Sequence, residues 1–204
     1  MPVLKRGFLK QDMFQLPIPL CLALLVAPIA QSALVMSLQE TGGDVQLIVD
    51  GNLDLTGLTF FQTQPASGYM NPGQGNINTL GVVDLYQNIV GNPVFGGLAS
   101  TNMDSYTGDA AGVMGQLGYL QVPQGYMSGD IISGTATWNT TTLAGLSVTQ
   151  GVYSWNWGSD SVTLYAGVAP PPGFPSPIPE PAAYIALAGF AGLGLFLWRR
   201  RLRG

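Results

Sequence analysis

Between about Leu34 and Ala166, apolar and polar positions alternate in short runs separated by glycine-rich breaks. That period of two is the mark of half-buried strands. Leu34 to Gln39 and Val45 to Asp50 flank Thr41-Gly42-Gly43-Asp44, which reads as a hairpin turn. Further strands are predicted over Gly81 to Gln87, Gly118 to Val122, Ile131 to Trp138, Leu146 to Gln150, Val152 to Trp157 and Ser161 to Ala166. No stretch of this body repeats apolar residues every 3.6 positions between helix caps. Residues 62 to 79 are polar and glycine-rich, carry Pro65 and Pro72, and read as a long surface loop; Gly91 to Gly112 reads as a second loose region. No internal repeat is evident. Each strand must bury one face, so the predicted fold is all-β, an antiparallel β-sandwich or jelly-roll-like body.

The two ends follow different patterns. Lys5, Arg6 and Lys10 precede an apolar stretch from about Leu16 to Ala30, and small residues follow in Ala30-Gln31-Ser32-Ala33. These are the three parts of a secretory signal, here a helix of residues 1–33 with signal-peptidase cleavage after Ser32 or Ala33. Pro17, Pro19 and Pro28 interrupt the stretch, which is too short to span a bilayer stably. At the other end, seven prolines lie between Pro170 and Pro181, so residues 169–178 form an extended linker. An uncharged run from Ala182 to Trp198 then meets Arg199, Arg200, Arg201 and Arg203. As a helix it reaches roughly 25 Å, marginal for a transmembrane span. Trp198 suits the interface, and the arginines hold the cytoplasmic side.

Charge sharpens this division. Of 204 residues only 9% are charged, and every Lys and Arg lies in one of the two ends. The body carries Glu40, Asp44, Asp50, Asp54, Asp84, Asp104, Asp109, Asp130 and Asp160 and no basic residue. Nucleic-acid binding is excluded for such a body, because phosphates need cations. The chain has no His, and Cys21 is its one cysteine. Ser-His-Asp and Cys-His catalysis, thiolate–imidazole zinc sites and internal disulfides are therefore excluded. No cofactor is called for.

Three features of the body bear on chemistry. Tyr153, Trp155 and Trp157 alternate along one strand and share a face; with Trp138 they are candidate glycan-contact residues, or else members of a sandwich core. Asp50-Gly51-Asn52-Leu53-Asp54 opens like a calcium loop, but Leu55 takes the glycine position and Phe61 the closing glutamate position, so a strand turn is the better reading. Paired carboxylates alone can hydrolyse a glycoside, yet these aspartates scatter among turns, where Asp bonds nearby backbone. Asn139-Thr140-Thr141 fits a glycosylation sequon and equally a polar turn.

Pro179-Glu180-Pro181, the short apolar run and the arginine cluster, in that order at the end of a chain with a signal peptide, resemble the PEP-CTERM sorting tail of exported bacterial proteins. The resemblance covers residues 179–204. It implies processing near Pro179, Glu180 and Pro181 by exosortase, a membrane protease-transpeptidase, in a Gram-negative-type envelope with extracellular polysaccharide. The body, from the stretch 37–44 to the stretch 151–158, also resembles one uncharacterised group of these proteins, which supplies no activity. Together the residues and the resemblance predict a non-enzymatic protein exported through the inner membrane. It is anchored there transiently, then moves to the cell surface or extracellular matrix, in a structural or adhesive role. Its expected partners are signal peptidase, exosortase, the inner membrane and extracellular polysaccharide. A carbohydrate-binding module using the aromatic strand is the alternative, and an acidic polysaccharide hydrolase a remoter one.

Overall fold

The computed structural model describes residues 33–91, 93–158 and 160–175, all in the second of the two units into which the chain divides, Ser32–Gly204. The signal helix with Ser32, the transmembrane helix 182–198, and Pro179, Glu180, Pro181, Arg199, Arg200, Arg201 and Arg203 lie outside the described residues. Among those described, no helix is long and apolar enough to cross a membrane.

The body is made of strands. In chain order they are β1 (Ala33–Thr41), β2 (Asp44–Asn52), β3 (Thr59–Ala66), β4 (Tyr69–Asn71), β5 (Asn76–Asn78), β6 (Gly81–Gln87) and β7 (Thr101–Asn102). There follow β8 (Ser105–Gly108), β9 (Gly112–Met114), β10 (Tyr119–Pro123), β11 (Ile131–Trp138), β12 (Gly151–Trp157) and β13 (Asp160–Ala166). The first sheet has the order β12-β13-β1-β2-β11-β8, the second β3-β6-β10-β9-β5-β4-β7. Pairings are antiparallel except β1–β13, which is parallel and sets Leu34 beside Val162 and Leu38 beside Ala166. The predicted hairpin forms β1 and β2. Gly42 (φ 64°) and Gly43 (φ 100°) take the left-handed conformations its two-residue turn demands.

In the first sheet the core-facing residues fall at every second position, and Ser37 and Ile48 are buried on the other face as well. Leu34, Met36 and Leu38 of β1, Val45, Leu47 and Val49 of β2, and Val162, Leu164 and Ala166 of β13 all enter one core. Met70, Ile77, Val113, Leu120 and Val122 of the second sheet enter the same core, so the two sheets share it. Val83 and Leu85 alternate with the core-facing side of β6 and form a small separate cluster with Ala66 and Ala110.

Several expectations need correction. Residues 62–79 are not a loop: they hold most of β3 and all of β4 and β5. Pro65 is compatible with β3 because β3 is an edge strand. The loose region contains β7 and β8. Leu146 to Gln150 is not a strand: Leu146, Ser147 and Val148 turn back on residues 142–144, and Ser147 has φ 58°.

A repeat is present that the sequence conceals. β4 and β5 are joined by a 3-10 turn, Pro72–Gln74, and β9 and β10 by another, Gly115–Leu117. Each turn is closed by a left-handed glycine, Gly75 (φ 64°, ψ 29°) or Gly118 (φ 68°, ψ 31°), whose N–H donates to the first turn residue at 3.1 Å. Met70 and Ile77 in one hairpin, and Val113 and Leu120 in the other, are the matching core pairs. The hairpins lie side by side through β5 and β9, and Gly115 N–H donates to Gly75 O at 3.1 Å.

Residues 93–98 tie the first of these hairpins to the segment between β11 and β12. Phe95 N–H donates to Pro72 O and Gly73 N–H to Gly97 O, while Gly97 N–H donates to Ser147 O and Thr149 N–H to Phe95 O, at 2.7–3.0 Å. The ring of Phe95 is buried in the shared core. A Cβ on Gly96 would run into the carbonyl oxygen of Ser147 and come within 2.8 Å of Pro72 Cβ. Gly96→Ala is expected to destabilise the protein by about 2–3 kcal/mol, the usual cost of overpacking against backbone. Urea unfolding of the two forms measures it, and an unchanged midpoint would contradict the close approach.

Candidate functional site

The row Tyr153, Trp155 and Trp157 on β12 faces inward. Trp155 and Trp157 are buried in the shared core, and Trp138, at the end of β11, joins them. Trp157 Nε1 donates to Asp54 O at 2.7 Å, and Trp138 Nε1 to Thr101 O at 3.4 Å. Phe95 packs on Tyr153 at 5.7 Å and edge-on against Trp155 at 6.3 Å. Tyr153 is half-buried, with its hydroxyl donating to Thr149 O at 2.9 Å. The candidate glycan-contact residues Trp138, Tyr153, Trp155 and Trp157 therefore offer no open stacking face. Alternation puts the rings on one side of a strand but does not say which side is covered.

The carboxylates of the body are bonded to backbone. Glu40 and Asp44 sit at the tip of the β1–β2 hairpin, and Asp104 lies between β7 and β8. Their oxygens accept the N–H groups of Leu143, Thr140 and Asn139 at 2.7 Å each. Three anions thus hold three amides of the one segment that follows β11. Elsewhere Asp109 accepts from Ser133 N at 3.0 Å, Asp84 from Gly125 N at 2.8 Å, and Asp130 from Met127 N at 3.0 Å. Asp84 also accepts a hydrogen bond from the Thr63 hydroxyl at 2.5 Å. The sequon residue Asn139 is exposed at the start of the clamped segment.

The calcium-like stretch resolves into a structural corner. Asp50 lies on β2 and alternates with core-facing Val49, whereas Asp54 lies past the strand end, so the two carboxylates do not converge. Asp54 Oδ1 accepts Thr56 N–H at 2.9 Å, and its own N–H donates to Asp160 Oδ2 at 2.5 Å. Asp160 is buried and also accepts Ser161 N–H at 2.7 Å. Tyr126 completes the corner: its hydroxyl accepts Leu53 N–H at 2.7 Å, and lies 3.0 Å from Leu53 O and 2.9 Å from Asp130 O, which share its single proton. Among the described residues no group of three His, Cys, Asp or Glu comes together to hold a metal.

Hydrogen bonds from the Thr56 backbone and side chain, with a smaller one from Ser128, hold the Asp54 carboxyl below the ordinary value of 3.8. Burial raises the phenol of Tyr126, as it does those of Tyr106 and Tyr86. Asp160 and Tyr126 had no signal in the sequence, since a buried Asp beside β13 reads like any turn aspartate.

Two outcomes follow from this corner. Asp160→Asn turns a two-oxygen acceptor into an amide whose NH₂ must face backbone N–H, so the protein is expected to lose about 2 kcal/mol; denaturant unfolding measures it. Asp54 has its lower value only when folded, so its contribution is present above about pH 4 and fades as pH falls through the folded value. Thermal melts between pH 6 and pH 3 are expected to show Asp54→Asn losing less stability than wild type over the acid limb; parallel curves would contradict this.

The folded body ends before the tail begins. Gly167 N–H donates to Leu38 O at 2.8 Å and Gln39 Nε2 to Val168 O at 2.7 Å. Beyond residue 168, the one bond from described backbone in the linker is Phe174 N–H to Pro171 O at 3.2 Å. No curated protein and no solved structure matches the chain. A family model does match at residues 177–201. The chain carries a PEP-CTERM protein-sorting motif there, the mark of an exosortase substrate.

Proposed function

We propose that this is a non-enzymatic surface or matrix protein whose β-body is delivered by exosortase processing and then serves a structural or adhesive role beside extracellular polysaccharide. The observation that carries the reading is the sorting motif at residues 177–201. It implies export and membrane-associated sorting. Its position supports a simple division of labour, because hydrogen bonding to the sheets ends at residue 168 and the motif starts nine residues later, across a proline-rich linker. Signal peptidase removes the N-terminal segment after Ser32 or Ala33. The helix 182–198 anchors the chain briefly, with Arg199, Arg200, Arg201 and Arg203 on the cytoplasmic side.

The non-enzymatic reading draws on the carboxylates. Glycoside hydrolysis needs two of them opposed across a cleft, whereas here all but Asp50 accept a backbone N–H. A carbohydrate-binding module on the β12 aromatics loses its support with the burial of those rings.

Glu180→Ala is expected to leave an inner-membrane precursor that retains Arg203, while Asp54→Ala is sorted normally. Membrane fractionation and mass spectrometry of the C-terminus, in a host carrying the cognate exosortase, read both. Wild-type protein that keeps Arg203 in the inner membrane would replace transient anchoring by a permanent anchor.

A further inference from the structure

The two sheets have four edges. That of β12 is closed at one residue, where Val90 and Asn156 exchange two backbone bonds at 2.7 and 2.8 Å. Those of β7 and β8 are two and four residues long. The fourth, β3, is eight residues long, and Thr59 to Thr63 and Pro65 are exposed. Among the described residues nothing pairs with its outer side. A bare edge presents unpaired N–H and C=O groups, the template for strand addition.

Aromatic rings flank this edge on both faces. Phe60 meets Tyr86 edge-on at 5.7 Å, and Phe61 stacks on Tyr119 at 5.3 Å. Tyr86 is in register with core-facing Leu120, so Tyr119, one residue away, belongs to the opposite face. Ordinary alternation sends these neighbouring rings to opposite sides, and Phe61 is the extra residue at the register shift between Phe60 and Gln62. Phe60 and Phe61 remain about half exposed, at 52% and 47%. An added strand, whose side chains alternate, would find an aromatic surface on each face.

We propose that β3 docks a second copy of this chain, pairing antiparallel with its own counterpart about Thr63. Charge selects this occupant. The body is anionic throughout, yet no acidic or basic residue lies between Asp54 and Asp84. Two copies meet here without opposed carboxylates, and the edge carries none to recruit a cationic partner. The nearest anion, Asp84, is buried and already bonded to Thr63 and Gly125.

Backbone geometry fixes the register. Pro65 has no N–H, and the carbonyl of its partner Val82 is taken by Gln124 N–H at 3.2 Å, so Pro65 and Val82 form a non-bonded pair. Alternation then turns the N–H and C=O of Thr63 outward. Two copies related by a two-fold axis at Thr63 exchange both groups and set Gln62 opposite Gln64. Pro65 and the bulge cap this short ladder at its ends, which makes the association a reversible dimer rather than a fibre.

A cysteine-free body makes the test direct. In an antiparallel bonded pair, facing Cα atoms lie about 5.5 Å apart, within disulfide range. The full chain bearing Thr63→Cys in a Cys21→Ser background is expected to form a disulfide-linked dimer on mild oxidation. Val152→Cys, exposed on β12 of the other sheet, is expected to stay monomeric. The double variant Q62E/Q64E sets carboxylates opposite one another across the axis, besides removing the bond from Gln62 Nε2 to Gln64 Oε1 within the strand, and is expected to weaken dimerisation of the otherwise wild-type chain about tenfold by sedimentation. Equal cross-linking at both cysteines, or a dimer indifferent to the double variant, would overturn the proposal. Monomers whose Thr63→Cys thiol is shielded only in the presence of cell-surface material would overturn it too, assigning the edge to another partner.

Discussion

A body with carboxylates and no cations must satisfy them internally with neutral donors, and here the chief donor is the backbone amide. Charge-assisted bonds from N–H to carboxylate are stronger than neutral ones, and an amide carries no side-chain entropy of its own to lose. The chain uses this repeatedly. Glu40, Asp44 and Asp104 hold the segment after β11, and Asp160 holds the corner after β2. Loops that would otherwise hang from the sheets are drawn onto strand ends. The same commitment leaves few acids free for chemistry on a substrate.

The two sheets meet the core in different ways. The first has long strands whose core-facing residues fall at every second position, and on its outer side Ser154 and Thr163 bond across β12 and β13 at 3.1 Å. The second is assembled from fragments, two of its hairpins being copies of one turn design. Three-residue strands bury little by themselves. Their stability comes from lying between neighbours and from residues 93–98, which join the turn at Pro72 to Ser147 and Thr149. Phe95 anchors that join within the core.

What the sequence disclosed follows this contrast. β1, β2, β6, β11, β12 and β13 are long enough for a period of two to stand out; the bounds of β6 and β11 are as expected and those of the others differ by a residue or two. β3 escaped notice because an edge strand wet on both faces has no reason to alternate, and Thr-Phe-Phe-Gln-Thr-Gln-Pro-Ala does not. β4 and β5 are shorter than any window that reveals a period. The hairpin repeat stays hidden since only the closing glycine and two apolar positions are required of it. Leu146 to Gln150 shows the converse error, an apolar alternation produced by a turn that buries Leu146 and Val148. For the sorting tail, order and chemistry in a linear segment sufficed, as they do for any signal read before folding.

The parallel pairing of β1 with β13 has a bearing on time. These strands are central neighbours in the first sheet, yet Leu34 and Val162 are at opposite ends of the body. A chain exported from its N-terminus delivers β1 first and must hold Leu34, Met36 and Leu38 without their final partners until the last strand has crossed. Closing so long a loop is slow. The sheet therefore completes only as residue 166 emerges, with the linker and sorting motif directly behind it. Folding of the body and arrival of the tail at the membrane become consecutive events on one clock.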